Sequence, residues 1–125
     1  MRPGSLTRRR VLGALAAAGL GGAPNFALAE ERSARHLHRV FSDFEAVREI
    51  AQPLAASDAR RARARRLGRT LEGASLKDAA RFLEHSIERD FAAGRIDLVH
   101  GWIFAETETS CLVLALLLDE EDHVS

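Results

Sequence analysis

The sequence predicts a mainly α protein: residues 30–125 as one small helical domain of three to four helices with a short β-hairpin before the last helix, preceded by an export signal over residues 1–29. Three observations carry that expectation. Apolar residues recur at steps of three and four through most of 33–93, the period of a helix with one buried stripe. Between Gly94 and Ala105 the period drops to two, as in a strand. From Cys111 to Leu118, "CLVLALLL", no side chain is polar, which marks a helix buried all round.

Residues 1–29 have the three parts of a secretory signal in order. Arg2, Arg8, Arg9 and Arg10 supply positive charge, and no acid occurs before Glu30. Val11 to Gly22 is uncharged and built of Ala, Gly, Leu and Val. It is too short to span roughly 30 Å of hydrocarbon at about 1.5 Å per helical residue. Ala27-Leu28-Ala29 has the A-x-A form of a cleavage site, which would start the mature chain at Glu30. The frame Thr7-Arg8-Arg9-Arg10-Val11-Leu12 resembles the twin-arginine signal, with Arg8 and Arg9 as the pair and Gly13 where a Lys is frequent. The weakly apolar, Ala- and Gly-rich middle suits that route, whose passengers cross a membrane folded. An arginine-rich ordinary secretory signal is the alternative.

The signal also distorts the composition. The whole chain carries 18 basic and 18 acidic residues, but four Arg and no acid lie before Glu30, so the remainder is acidic by four charges. That sign argues against nucleic acid as a partner. A domain of this size is near the lower end of what buries a useful core. Its single Cys, Cys111, provides no internal disulfide for an oxidising compartment.

From Ser33 to about Gln52, Leu37, Val40, Phe41, Phe44, Val47 and Ala51 form one helical stripe, with Ser33 as the cap and Pro53 as the stop. Ser57 or Asp58 caps a second helix to about Glu72, on which Ala64, Leu67 and Leu71 make a narrow stripe before Gly73. Six of its residues between 60 and 69 are Arg, spread around the cylinder, and are expected to pair with acids elsewhere rather than form one basic rail. Ser75 and Asp78 open a third helix with the stripe Leu76, Ala80, Leu83, Ile87 and Phe91, closed by Gly94. Ile96 and Leu98 then face one way and Asp97 and Val99 the other; Trp102 and Phe104 share a face after the two-residue turn His100-Gly101. The Leu-rich final run favours helix over strand. It ends in Asp119-Glu120-Glu121-Asp122, which suits neither the helix dipole nor any pairing visible in the sequence and is expected to be solvated or to face a partner.

Asp90, Phe91, Gly94, Arg95, Gly101, Trp102, Thr107, Glu108, Cys111 and Leu112 fit a pattern by which the chain resembles small proteobacterial twin-arginine-signal proteins of no established activity. The resemblance implies an exported accessory protein and carries over no catalytic residue. Ala105 departs from it where a Ser would form a capping box with Glu108; Thr107 could cap instead.

Chemistry is sparse. His36 and His38 diverge on a helix, His85 lies opposite the third helix's stripe, and all three are expected at the surface. No convergent metal set, P-loop, dinucleotide glycine pattern or Ser-His-Asp signature appears. Cys111, at the head of the apolar run and beside Glu106 and Glu108, is expected to be buried and structural. The expectation is therefore a periplasmic, non-enzymatic accessory protein without a cofactor of its own. It would meet the twin-arginine translocase and then assemble, as small subunit or escort, with a cofactor-bearing oxidoreductase. Trp102, Phe104, Leu112 and Leu116 are the candidate interface residues. The alternative is a stand-alone periplasmic binding or interaction domain, as a monomer or a homodimer, with membrane contact only through the signal.

Overall fold

The computed structural model describes residues 33–124 apart from 40 and 42. The export segment, with Arg8, Arg9, Ala27 and Ala29, lies outside the described residues, as does the side chain of His36. A 3-10 helix, Ala34–Arg39, leads into α1 (Phe44–Ala55), α2 (Asp58–Thr70) and α3 (Leu76–Ala93). An antiparallel hairpin of β1 (Ile96–Val99) and β2 (Trp102–Ala105) follows, and α4 (Glu106–Val124) closes the order. The mainly helical class with a hairpin before the last helix is as the sequence predicts.

α4 is the axis of the fold. Cys111 through Leu116 are all buried, and every other element packs against this helix. A helix without a polar side has no face to leave in water, so the rest of the chain must surround it. No helix among the described residues is long and apolar enough to cross a membrane.

The first predicted helix is two elements. Asp43 has non-helical backbone, at φ −135° and ψ 78°, and its Oδ1 accepts the Ala46 N–H at 3.2 Å, so the α-helix restarts there instead of running on from Ser33. Ser33 opens the 3-10 helix instead, its hydroxyl accepting the Arg35 N–H at 3.3 Å. It bridges to Ser75, and Ala34 donates its N–H to the Ala74 carbonyl at 3.0 Å, tying the start of the 3-10 helix to the mouth of α3. Nor does Pro53 stop the helix, which continues to Ala55. Near the helix end Pro53 costs one backbone bond, its own side chain is exposed, and the helical path keeps Ala51 and Leu54 in the core.

α2 and α3 start where expected, with the Ser57 and Ser75 hydroxyls accepting the Arg60 and Asp78 N–H groups at 3.3 and 3.1 Å. Gly94, at φ 73°, ends α3 in the left-handed region. The buried face of α3 is rotated from the predicted stripe: Leu76, Ala79, Leu83, Ser86 and Asp90 are inside, Ala80 and Ile87 are half-buried, and Phe91 is 47% exposed. Its last two turns thus face the interior with polar side chains, a choice explained by what Asp90 does there. The hairpin pairs Ile96 with Ala105 through to Val99 with Trp102, about a turn with His100 at φ 52° and Gly101 at φ 79°. Two left-handed residues in sequence make the turn whose twist matches paired strands.

Candidate functional site

The densest polar cluster lies where the hairpin meets α2 and α4. Strand alternation turns Asp97 inward beside Val99. There its carboxylate accepts from the Thr109 hydroxyl at 2.5 Å, from Arg63 at 2.7 Å and from Arg60 at 3.3 Å. Arg63 also donates to Ser110 at 3.1 Å and approaches Glu106 at 3.4 Å. Burial pushes the Asp97 carboxyl up, but the Thr109 hydrogen bond and the Arg63 and Arg60 guanidinium groups outweigh it and hold the group below its usual 3.8. A carboxylate so fully used is ionised and satisfied. It serves as a clamp joining three elements, and it is poorly suited to exchange protons with a substrate.

A second buried acid completes the start of α4. Asp90, at the end of α3, accepts the Thr107 N–H at 2.7 Å and the Arg95 side chain at 3.0 Å. Glu108 accepts the Ala105 N–H at 2.8 Å. Ala105 therefore leaves no gap in the cap: Glu108 supplies the reaching-back half of the capping box, and Asp90 supplies an acceptor from another helix. Burial raises the Asp90 carboxyl, but hydrogen bonds from Thr107 and the Arg95 guanidinium bring it below 3.8.

The acidic tail is also paired within the chain. Asp122 binds His38 and, at 3.0 Å, Arg39, while Asp119 meets Arg48 at 3.3 Å. His38 is buried, not at the surface as expected, because the 3-10 helix lays it against the end of α4. His85 is exposed. Among the described residues no three His, Cys, Asp or Glu side chains are placed to hold a metal ion. Cys111 is 3% exposed and its thiol is pushed up to about 12 by burial, with Glu108 adding to the shift, which removes the thiolate a nucleophile needs.

Of the expected interface residues, Phe104, Leu112 and Leu116 lie in the protein's own core and Trp102 is half-buried against it. None of the three buried ones is offered to a partner. Among the described residues, the large apolar side chains exposed are Ile96, Leu98 and Ile103 on the outer face of the hairpin, of which Leu98 is 69% exposed, together with Phe91 near the end of α3 and Val124 at the end of α4. Alternation shows which strand residues face outward, but nothing in the sequence marks the outer face as the more accessible apolar one.

A groove of about 1000 Å³ runs between α2, the start of the 3-10 helix and the last turns of α4. Leu71, Leu114, Leu117 and Leu118 line it, with Arg and Glu side chains at its rim. Gly68 permits the close approach of α2 and α4 at its base: a Cβ there would stand 3.1 Å from Leu114 Cδ1. Comparison with known protein families, with curated proteins and with solved structures finds no match to this chain.

Proposed function

We propose that this chain is an exported, non-catalytic interaction domain of the periplasm, carried folded by the twin-arginine translocase and binding a protein partner through its surface after export. One observation carries the reading. The apolar run Cys111–Leu116, which a dependent subunit would bury against its partner, is enclosed by the domain's own elements, while the polar clusters are spent on joining those elements. A fold that closes its own core needs no partner to be compact before export, and its ionisable interior groups are structural.

A second reading, a small subunit escorting a cofactor-bearing oxidoreductase, is favoured by the exposed apolar set Phe91, Ile96, Leu98 and Ile103, which differs from the interface expected from sequence. Replacing Arg8 and Arg9 by Lys distinguishes the two. The stand-alone domain alone should be retained in the cytoplasm; escort predicts that a periplasmic oxidoreductase activity disappears with it. Continued export of the Lys-Lys precursor would overturn folded transport for both.

A further inference from the structure

The groove between α2 and α4 has a wall that projects beyond it. Arg63 reaches Ser110 and Gly68 lies against Leu114, so the two helices run side by side in the same direction. α2 ends at Thr70, two residues past Gly68, whereas α4 continues to Val124, ten past Leu114. At about 1.5 Å per residue the end of α4 overhangs by roughly 12 Å. One side of the overhang is used within the chain: Asp119 meets Arg48, and Asp122 meets His38 and Arg39. At about 100° per residue the opposite side is the stripe Leu117, Glu120, Glu121 and Val124, which lines the groove and ends in a valine 88% exposed.

The same surface carries unpaired charge of both signs. Arg65 and Arg69 on α2 and Glu120 on α4 all line the groove, yet none of the three forms an ion pair among the described residues, although Arg39, Arg48, Arg60, Arg61, Arg63 and Arg95 do. Arg35 and Glu72, also at the rim, are in the same state. The groove is neither a basic nor an acidic site. Its floor is leucine, its α2 wall is basic from Arg65 to Arg69, and it is acidic beyond, at Glu72 and on the α4 overhang. Opposite charges on separate walls are out of each other's reach within one copy, but a two-fold axis brings each wall to the complementary wall of a second copy. The shapes agree as well, because the overhang is a ridge and the space beside α2 is a slot. A ridge with the negative end of a helix and no Arg or Lys in its last turn also favours cations from outside the chain.

We propose that the chain forms a two-fold symmetric homodimer in which the α4 overhang of each copy lies in the groove of the other. Val124 then meets the leucine floor of the partner subunit, and Glu120 meets the arginine wall of its α2. The pairing is independent of the export reading and of any further partner at the hairpin face. An interface confined to one groove and one helix end is at the low end of specific contacts, so the expected dissociation constant is about 10–100 µM.

Sedimentation velocity of the full chain from about 5 to about 500 µM tests this and should show a monomer–dimer equilibrium within that range. Arg65→Glu with Arg69→Glu, and separately Glu120→Arg with Glu121→Arg, set like charges against each other and should each raise the dissociation constant about a hundred-fold. Mixed in equal amounts, the two variants present opposite charges at both contacts and should recover a dimer of the parent's affinity. Val124→Asp, at an exposed helix end, should weaken the dimer about ten-fold and decides the matter where a reversed variant does not fold. Leu98→Ser, on the hairpin, is the control and should change nothing. A parent that stays monomeric throughout overturns the proposal. So does a dimer that survives Val124→Asp and the reversals or is lost with Leu98→Ser, and so does a mixture of the two reversed variants that remains monomeric.

Discussion

Asp97→Ala is the most informative single perturbation of this fold. It removes one acceptor and leaves Arg60, Arg63 and the Thr109 hydroxyl facing the space it filled. Removing one partner of a buried charge pair costs about 3–5 kcal/mol. Here the Arg60 and Arg63 side chains keep 36% and 26% of their surface exposed, so water takes over part of their charge. That discount brings the expected loss to about 2–3 kcal/mol, a drop in Tm of about 10–20 °C for a domain of this size. Urea unfolding with an unchanged m-value measures it. The acid dependence is a second, independent check. Because the folded Asp97 carboxyl lies below its usual 3.8, its contribution is present above that pH and is lost as the pH falls through the folded value. Asp97→Asn, which cannot ionise, should therefore be less stable than the parent at neutral pH and approach it as the pH falls below the usual 3.8 and through the lowered folded value. A loss under about 0.5 kcal/mol for the alanine variant, or a parent-to-Asn gap that does not narrow in acid, would refute the clamp.

Asp90→Ala removes the acceptor that α4 borrows for its Thr107 N–H and should cost about 1–2 kcal/mol in urea unfolding, with Asp90→Asn retaining part of it. His100 sits at φ 52°, a conformation Asn adopts more readily, so His100→Asn should stabilise the hairpin by about 0.5 kcal/mol, seen as a higher urea midpoint. Gly68→Ala gains about 0.5–1 kcal/mol of helix propensity and crowds only the tip of Leu114, which has the groove to move into; the net effect should be stabilising, and a lower Tm would show that Leu114 is locked. Cys111 should not react with an aromatic disulfide reagent until denaturant unfolds the chain.

The parts of this fold that were legible in the sequence are those set by local periodicity. Ser75, Leu76, Leu83 and Gly94 announce α3, and alternation over 96–104 with His100-Gly101 announces the hairpin and groups Asp97 with Val99, though not which of the two faces is inside. The break at Asp43 was not read from the sequence, because the apolar stripe runs without interruption through Phe41 and Phe44. What stayed hidden depends on distance along the chain. Asp97 meets Arg63 across 34 residues, and Asp122 meets Arg39 across 83. No spacing rule connects such pairs, so the sequence leads one to expect the arginines of α2 to pair with acids elsewhere without saying which, and the acidic tail to be solvated or to face a partner. The core position of three of the candidate interface residues was hidden for a different reason. Phe104, Leu112 and Leu116 are apolar enough for a partner's surface or for the protein's own core, and hydrophobicity has the same sign in both.

The position of α4 in the chain order bears on how such a domain could be exported. Each element before it contacts α4, and α4 comes after all of them, so the shared core closes only once Glu106–Val124 has been made. Until then the inner faces of α1, α2 and α3 are open; afterwards the eight-residue apolar run is shielded from Cys111 to Leu116 and partly covered at Leu117 and Leu118. Unfolded transport would have to keep that run from associating with other chains throughout its passage, because nothing polar interrupts it. Folding first removes the hazard at its source, and it does so without a second subunit. Within the export reading proposed above, an apolar run enclosed by the domain's own elements gives no separate reason for a partner in the cytoplasm.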